Sequence, residues 1–150
     1  MKNSINKIKS KFQLIKSWNL THKQKVFIYY PENEIELKKI LKYLKKNKKT
    51  FIVRTGSCSY DGKSIPLENS NIVISLKNFN KLIGINKKKN TVNVQAGTKI
   101  ADLLYKLKKK NLSMFAVPGG FHISIGGAIA ANAIGKDSNK NFGAFGDGVK

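Results

Sequence analysis

The chain is poor in the residues that usually carry site chemistry. It has one cysteine, Cys58, and two histidines, His22 and His122, in 150 residues. A single thiol excludes a disulfide framework and matches a reducing compartment, so a cytoplasmic location is expected. The two histidines are scattered and form no ligand cluster with that thiol, so no metal centre is expected. Apolar runs all fall short of the roughly 20 residues that a membrane span needs. The basic N-terminus has no apolar core behind it, so no signal peptide is expected. Acidic residues are also scarce, with eight Asp and Glu against 29 Lys and Arg, for a net charge of +21.

That excess invites a nucleic-acid partner or an anionic membrane surface. Its makeup argues otherwise. Arg54 is the only arginine. Specific phosphate and base readers favour the bidentate arginine fork. The lysines are spread along the whole chain, beside asparagine and isoleucine, as on solvated faces. No specific nucleic acid is expected; a lysine-rich nucleic-acid-binding protein without redox activity is the alternative. A hydrophobic content of 41% over this length suits one folded domain with a real core.

The pattern predicts residues 1–20 as a polar N-terminal extension holding at most a short helix, with the domain over 21–150. Val26 to Tyr30 is β-branched and aromatic and reads as a strand. Pro31 opens a helix with Glu32, Glu34 and Glu36 early and lysines late, matching the macrodipole. Ile35, Leu37, Ile40, Leu41 and Leu44 give its apolar face. Phe51 to Val53 is the next strand, parallel to the first because a helix links them. Ile72 to Leu76 and Lys81 to Ile85 are further strands. The polar Asn86 to Asn90 turn pairs Lys81 to Ile85 with Thr91 to Gln95 as a hairpin. Thr98 caps a helix to about Lys110 with Ile100, Leu103, Leu104 and Leu107 inward. Ile125 to Ala133 is a short packed helix. The fold class is α+β: a small βαβ part, then a mixed hairpin-containing sheet with helices.

Two small-residue loops stand out. Arg54-Thr55-Gly56-Ser57-Cys58-Ser59-Tyr60 leaves the second strand, and a glycine- and alanine-rich stretch runs from Pro118 to Gly148. Glycine lets backbone approach a flat or anionic group closely. The pair points to a nucleotide cofactor held through main-chain N–H groups. Arg54 either pairs with a carboxylate or orders the cofactor loop or its backbone. Gly126-Gly127 suits anion capture at a helix start, and equally a close helix–strand contact. A triphosphate loop is excluded: between Gly56 and Gly62-Lys63-Ser64 stand five residues where four are required, and Pro66 follows where a helix should run. No Gly-x-Gly-x-x-Gly occurs, which argues against a Rossmann site.

The first loop resembles the Arg-Ser-Gly-Gly-His-Ser-Tyr loop of FAD-linked oxidases in the vanillyl-alcohol oxidase (PCMH-type FAD-binding) superfamily. Pro118-Gly119 followed by Ser124-Ile125-Gly126-Gly127-Ala128-Ile129-Ala130 resembles that superfamily's second pyrophosphate loop. Gly135-Lys136, Phe142 to Asp147 and Ser17-Trp18-Asn19 are similar to the branch holding decaprenylphosphoryl-β-D-ribose 2′-oxidase. The resemblance implies a PCMH-type FAD-binding domain, incomplete at the C-terminus, in an oxidoreductase moving hydride from an alcohol carbon to flavin. It implies Arg54, Thr55 to Tyr60, Gly119 and Ser124 to Gly127 around the pyrophosphate. It places Ala131, Asn132, Ala133 and Ile134 near the flavin or its ribityl chain. Cys58 stands where some members link flavin through histidine, so FAD is expected to be non-covalent. His-Gly-Lys in that branch is Ile134-Gly135-Lys136 here. No catalytic residue is assigned. The substrate part is expected beyond Lys150, on this protein or on a second polypeptide.

Overall fold

The computed structural model describes residues 5–60, 62–66, 70–114 and 116–135. The chain divides into two units, Met1–Phe79 and Asn80–Lys150. The first holds β1 (Ser10–Lys16), β2 (Lys23–Tyr29), α1 (Glu34–Lys46), β3 (Ile52–Arg54) and β4 (Ile72–Ser75). Its sheet runs in the order β1-β2-β4-β3. β1 is antiparallel to β2, while β4 lies parallel to both β2 and β3.

Alternation builds the two faces of this sheet. Val26 and Ile28 point one way and join Ile15 and Val73 in a buried cluster. Phe27 and Tyr29 point the other way, ring edge to ring face at 5.0 Å. On that side Tyr29 and Ile74 pack with Ile5, Ile8 and two residues of α1, Ile40 and Leu44. Each such aliphatic side chain, fully buried, contributes about 1.5–3 kcal/mol. The Asn33 side chain caps α1 by accepting from the Glu36 N–H at 3.0 Å. Glu36 returns the bond by accepting from the Glu32 N–H at 2.9 Å. Acidic residues in the first turn and lysines in the last complement the helix dipole.

Four expectations change here, the first being the start of α1, which lies at Glu34 after the Asn33 cap and not at Pro31. β1 pairs with β2 through all seven residues, inside the stretch read as an extension. Only Ile15 of β1 is buried, so its strand pattern is faint. β3 runs parallel to β2 as expected, with β4 between them. β4 thus joins the first sheet, not the hairpin part. On α1 the sheet takes a narrower stripe than the sequence offers: Ile40 and Leu44 are fully buried, Leu41 is partly exposed and Ile35 is 67% exposed.

The second unit holds β5 (Leu82–Asn86), β6 (Thr91–Val94), α2 (Ile100–Lys108) and α3 (Ile125–Ala130). β5 and β6 form the expected antiparallel hairpin, with an irregularity between Leu82 and Gly84. The Asn86 side chain accepts from the Lys89 N–H, and Asn90 takes a φ of +48° to close the turn. Ile100, Leu103, Leu107, Ile125 and Ala128 form the core, with Leu82, Ile85, Val92 and Val94 of the hairpin packed on it. α2 begins one residue later than expected. Its N-cap is Lys99, which makes no side-chain capping bond, and Thr98 is fully buried instead. α3 stops at Ala130, short of the Ala133 expected. The overall content is α+β with a mixed sheet and a hairpin.

Candidate functional site

The two loops lie in different units, and each is built by its own unit. The first leaves the C-terminal end of β3, the end at which parallel strands present ligand-binding loops. Arg54, the last residue of β3, donates from Nη2 to the Lys16 carbonyl at 2.7 Å. Its Nε is buried and has no partner among the described residues. Burial lowers the guanidinium below its ordinary pKa, opposed by the nearby Tyr30 and Cys58. An arginine so shifted still carries its charge near neutral pH. Of the roles open to Arg54, the visible one is ordering backbone, through Lys16.

Ser57 sits in the left-handed region at φ +59°. Left-handed residues of this kind are one half of the αR-αL pair that makes anion-binding nests. The Cys58 thiol donates to the Gly56 carbonyl at 3.1 Å. The Ser59 carbonyl accepts from the Trp18 N–H at 3.2 Å, and the Tyr60 carbonyl accepts from the Gly62 N–H at 2.7 Å. Among the described residues, the N–H groups of Ser57, Ser59 and Tyr60 form no hydrogen bond. The Tyr60 ring is 62% exposed. The loop therefore keeps donors for a ligand.

The second loop spends its donors differently. Ser124 is the N-cap of α3, and its hydroxyl accepts from the Gly127 N–H at 3.3 Å. Ile125 donates to the Thr98 carbonyl and Gly126 to the Ala96 carbonyl, both at 2.8 Å. A Cβ on Gly126 would stand 2.8 Å from the Ala96 methyl. Of the expected Ser124 to Gly127 cradle, the N–H groups of Ile125, Gly126 and Gly127 are bonded within this unit, and Gly126 packs closely on Ala96. Gly119, by contrast, has open space where a Cβ would go. Past α3, Asn132 adopts φ +41° and donates to the Ile129 carbonyl, while the Ala133 N–H bonds Ala128. Ile134 is 74% exposed. A Cβ on Gly135 would overlap the Val117 carbonyl, so glycine is required there. Lys136 and the segment from Phe142 to Asp147 lie outside the described residues.

The sequence reading named Ser17-Trp18-Asn19 only by resemblance and missed that this segment and its neighbours brace the first loop. The Lys16 carbonyl, the Trp18 N–H and the His22 ring, which lies against Gly62, all come from the β1–β2 hairpin. Finding β1 would have exposed them. Among the described residues no helix is long and apolar enough to cross a membrane.

The first loop leaves the carboxyl end of a parallel strand in an α+β unit, and the hairpin belongs to a separate unit. Residues 26–150 match the FAD binding domain family, and the chain belongs to that family. No curated protein matches it. Solved structures show the same fold. The BBE-like 1 protein of Physcomitrella patens, as a variant, superposes with a TM-score of 0.81 at 18% identity, covering 97% of this chain and 33% of that one. Cholesterol oxidase from Brevibacterium sterolicum gives 0.76 at 18% identity, over 87% of this chain and 25% of that one. Alkyldihydroxyacetonephosphate synthase gives 0.73 at 23% identity, over 82% and 25%. The fold is the PCMH-type FAD-binding fold, and the chain spans a quarter to a third of the length of these relatives.

Proposed function

We propose that this chain holds FAD non-covalently for an oxidoreductase that oxidises an alcohol carbon, with the first loop carrying the pyrophosphate. The observation that carries this reading is the set of N–H donors at Ser57, Ser59 and Tyr60, shaped by the left-handed Ser57. N–H groups without a protein partner give up no internal bond when an anion arrives. Arg54 adds a fixed positive charge at the root of the loop and holds it to Lys16. Thr55, Gly56 and Cys58 shape the turn. Gly119 offers backbone that a ligand can approach, and Ser124 to Gly127 support the site by fixing α3. Ala131 to Ile134 are assigned to the flavin or its ribityl chain.

When bound, the flavin supplies the hydride-accepting centre, and the protein supplies binding and orientation. Substrate groups come from outside the stretch shared with the relatives, on the same protein or on a second polypeptide. The loop pattern favours the branch that oxidises a polyprenyl-phosphate sugar, and the working location is the cytoplasm. The test is purification with added FAD followed by removal of free flavin. A retained flavin absorption spectrum that reduction bleaches supports the reading; colourless protein refutes it.

A further inference from the structure

We infer that the β1–β2 turn, residues 17–22, positions the donors of the first loop, with Ser17 and His22 as its positioning residues. The inference rests on the FAD reading above for its consequence, but its geometry stands apart from any ligand. The hairpin touches the loop region at three places. Lys16 receives Arg54 at the loop's root at 2.7 Å. Trp18 donates to the Ser59 carbonyl at 3.2 Å. The His22 ring fills the space where a Cβ on Gly62 would stand, with its atoms 2.8–3.0 Å away.

The Trp18 contact has a direct effect on a donor. A trans peptide is planar, with C=O and N–H pointing in opposite directions. The Ser59 carbonyl and the Tyr60 N–H belong to one peptide. Tying the carbonyl to Trp18 therefore aims the Tyr60 N–H away from the turn, where it forms no bond among the described residues. The Gly62 contact acts from the other side. Gly62 is held at φ +67° and donates back to the Tyr60 carbonyl at 2.7 Å. The Ser59–Tyr60 peptide is thus held by Trp18, and the Tyr60 carbonyl by Gly62.

The turn is built to hold that position. Ser17 is only 2% exposed. Its N–H donates to the His22 carbonyl at 2.9 Å, its hydroxyl donates to Asn19 Oδ1 at 2.8 Å, and it accepts from the His22 N–H at 3.1 Å. Thr21 Oγ1 bonds His22 Nδ1 at 2.9 Å and so orients the ring. Leu20 is held at φ +64°, a conformation that a leucine adopts only where its surroundings over-determine it. Simple chain reversal between β1 and β2 needs only a two-residue turn.

The test uses the full chain. Gly62→Ala drives a methyl into the His22 ring, and Ser17→Ala removes the turn's central hydroxyl. Two quantities are read: backbone 15N order parameters of Ser57 to Tyr60 without ligand, and the FAD dissociation constant. Both variants are expected to lower the order parameters from the rigid range, near 0.85, toward the flexible one. Both are expected to weaken FAD binding roughly tenfold, with circular dichroism unchanged. His22→Ala, which removes the ring packed against Gly62, should lower the order parameters and weaken FAD binding as well. Unchanged order parameters in Ser17→Ala or in His22→Ala overturn the inference. A parent chain that binds no FAD while its order parameters respond refutes the FAD reading and upholds the positioning.

Discussion

Gly126 donates its N–H to the Ala96 carbonyl at 2.8 Å, and the Ala96 methyl lies 2.8 Å from where a Cβ on Gly126 would stand. The start of α3 is therefore docked on the segment that follows β6. Any side chain at 126 must push these two stretches apart. Gly126→Ala is expected to cost about 1–3 kcal/mol, the usual range for overpacking. Ala96→Gly in the same molecule should recover part of that loss, leaving the contact with the Ala96 carbonyl. Denaturant unfolding of the single and double variants checks this. Equal stability of Gly126→Ala and the parent would show that the contact is loose.

Ser124 caps a helix of six residues by accepting from Gly127. Ser124→Ala leaves the part-buried Gly127 N–H without that partner. A loss of about 1 kcal/mol is expected, in line with other N-caps. Thermal unfolding reads it, and Ser124→Asp should retain more of the stability than Ser124→Ala.

Tyr29 is buried between the sheet and α1, and burial raises its pKa, with nearby Tyr43 adding to the effect. The folded chain therefore holds this proton more tightly than the unfolded chain. The stabilisation is complete below the ordinary tyrosine value of about 10. It is lost as pH rises from there through the raised folded value. Stability should fall over that alkaline window, and Tyr29→Phe, which keeps the ring, should flatten the fall. A parallel fall in both proteins would place the alkaline sensitivity elsewhere.

Cys58 bonds the Gly56 carbonyl, a contact that a serine hydroxyl also makes. Cys58→Ser is expected to leave FAD affinity within about twofold, under half a kcal/mol. Acid precipitation of the flavin-loaded parent should release all flavin to the supernatant. Flavin in the pellet that disappears in Cys58→Ser would falsify the non-covalent reading.

Local pattern made parts of this fold legible. The Asn86 to Asn90 turn announced the β5–β6 hairpin, and the spacing of Ile100, Leu103 and Leu107 announced α2. β1 stayed hidden because its lysines and exposed Phe12 and Leu14 mask the alternation, leaving only Ile15 buried. The seat of β4 between β2 and β3 depends on pairing across the chain, which no local window records. The site divides in the same way. Small residues mark both loops in the sequence. Which N–H groups stay open is decided by acceptors brought in from elsewhere, Ala96 and Thr98 for the second loop and none among the described residues for Ser57, Ser59 and Tyr60 in the first.

The chain's single tryptophan, Trp18, is hydrogen-bonded to the first loop, so its emission reports directly on a flavin held there. The decisive measurement is a titration of the full chain followed by Trp18 fluorescence, with FAD, riboflavin and ADP compared. Binding through the pyrophosphate predicts saturable quenching by FAD, recovery of emission when ADP competes, and riboflavin binding weaker by at least about tenfold. Absence of saturable quenching by FAD, or riboflavin binding as tightly as FAD, would contradict a pyrophosphate cradle at Ser57, Ser59 and Tyr60.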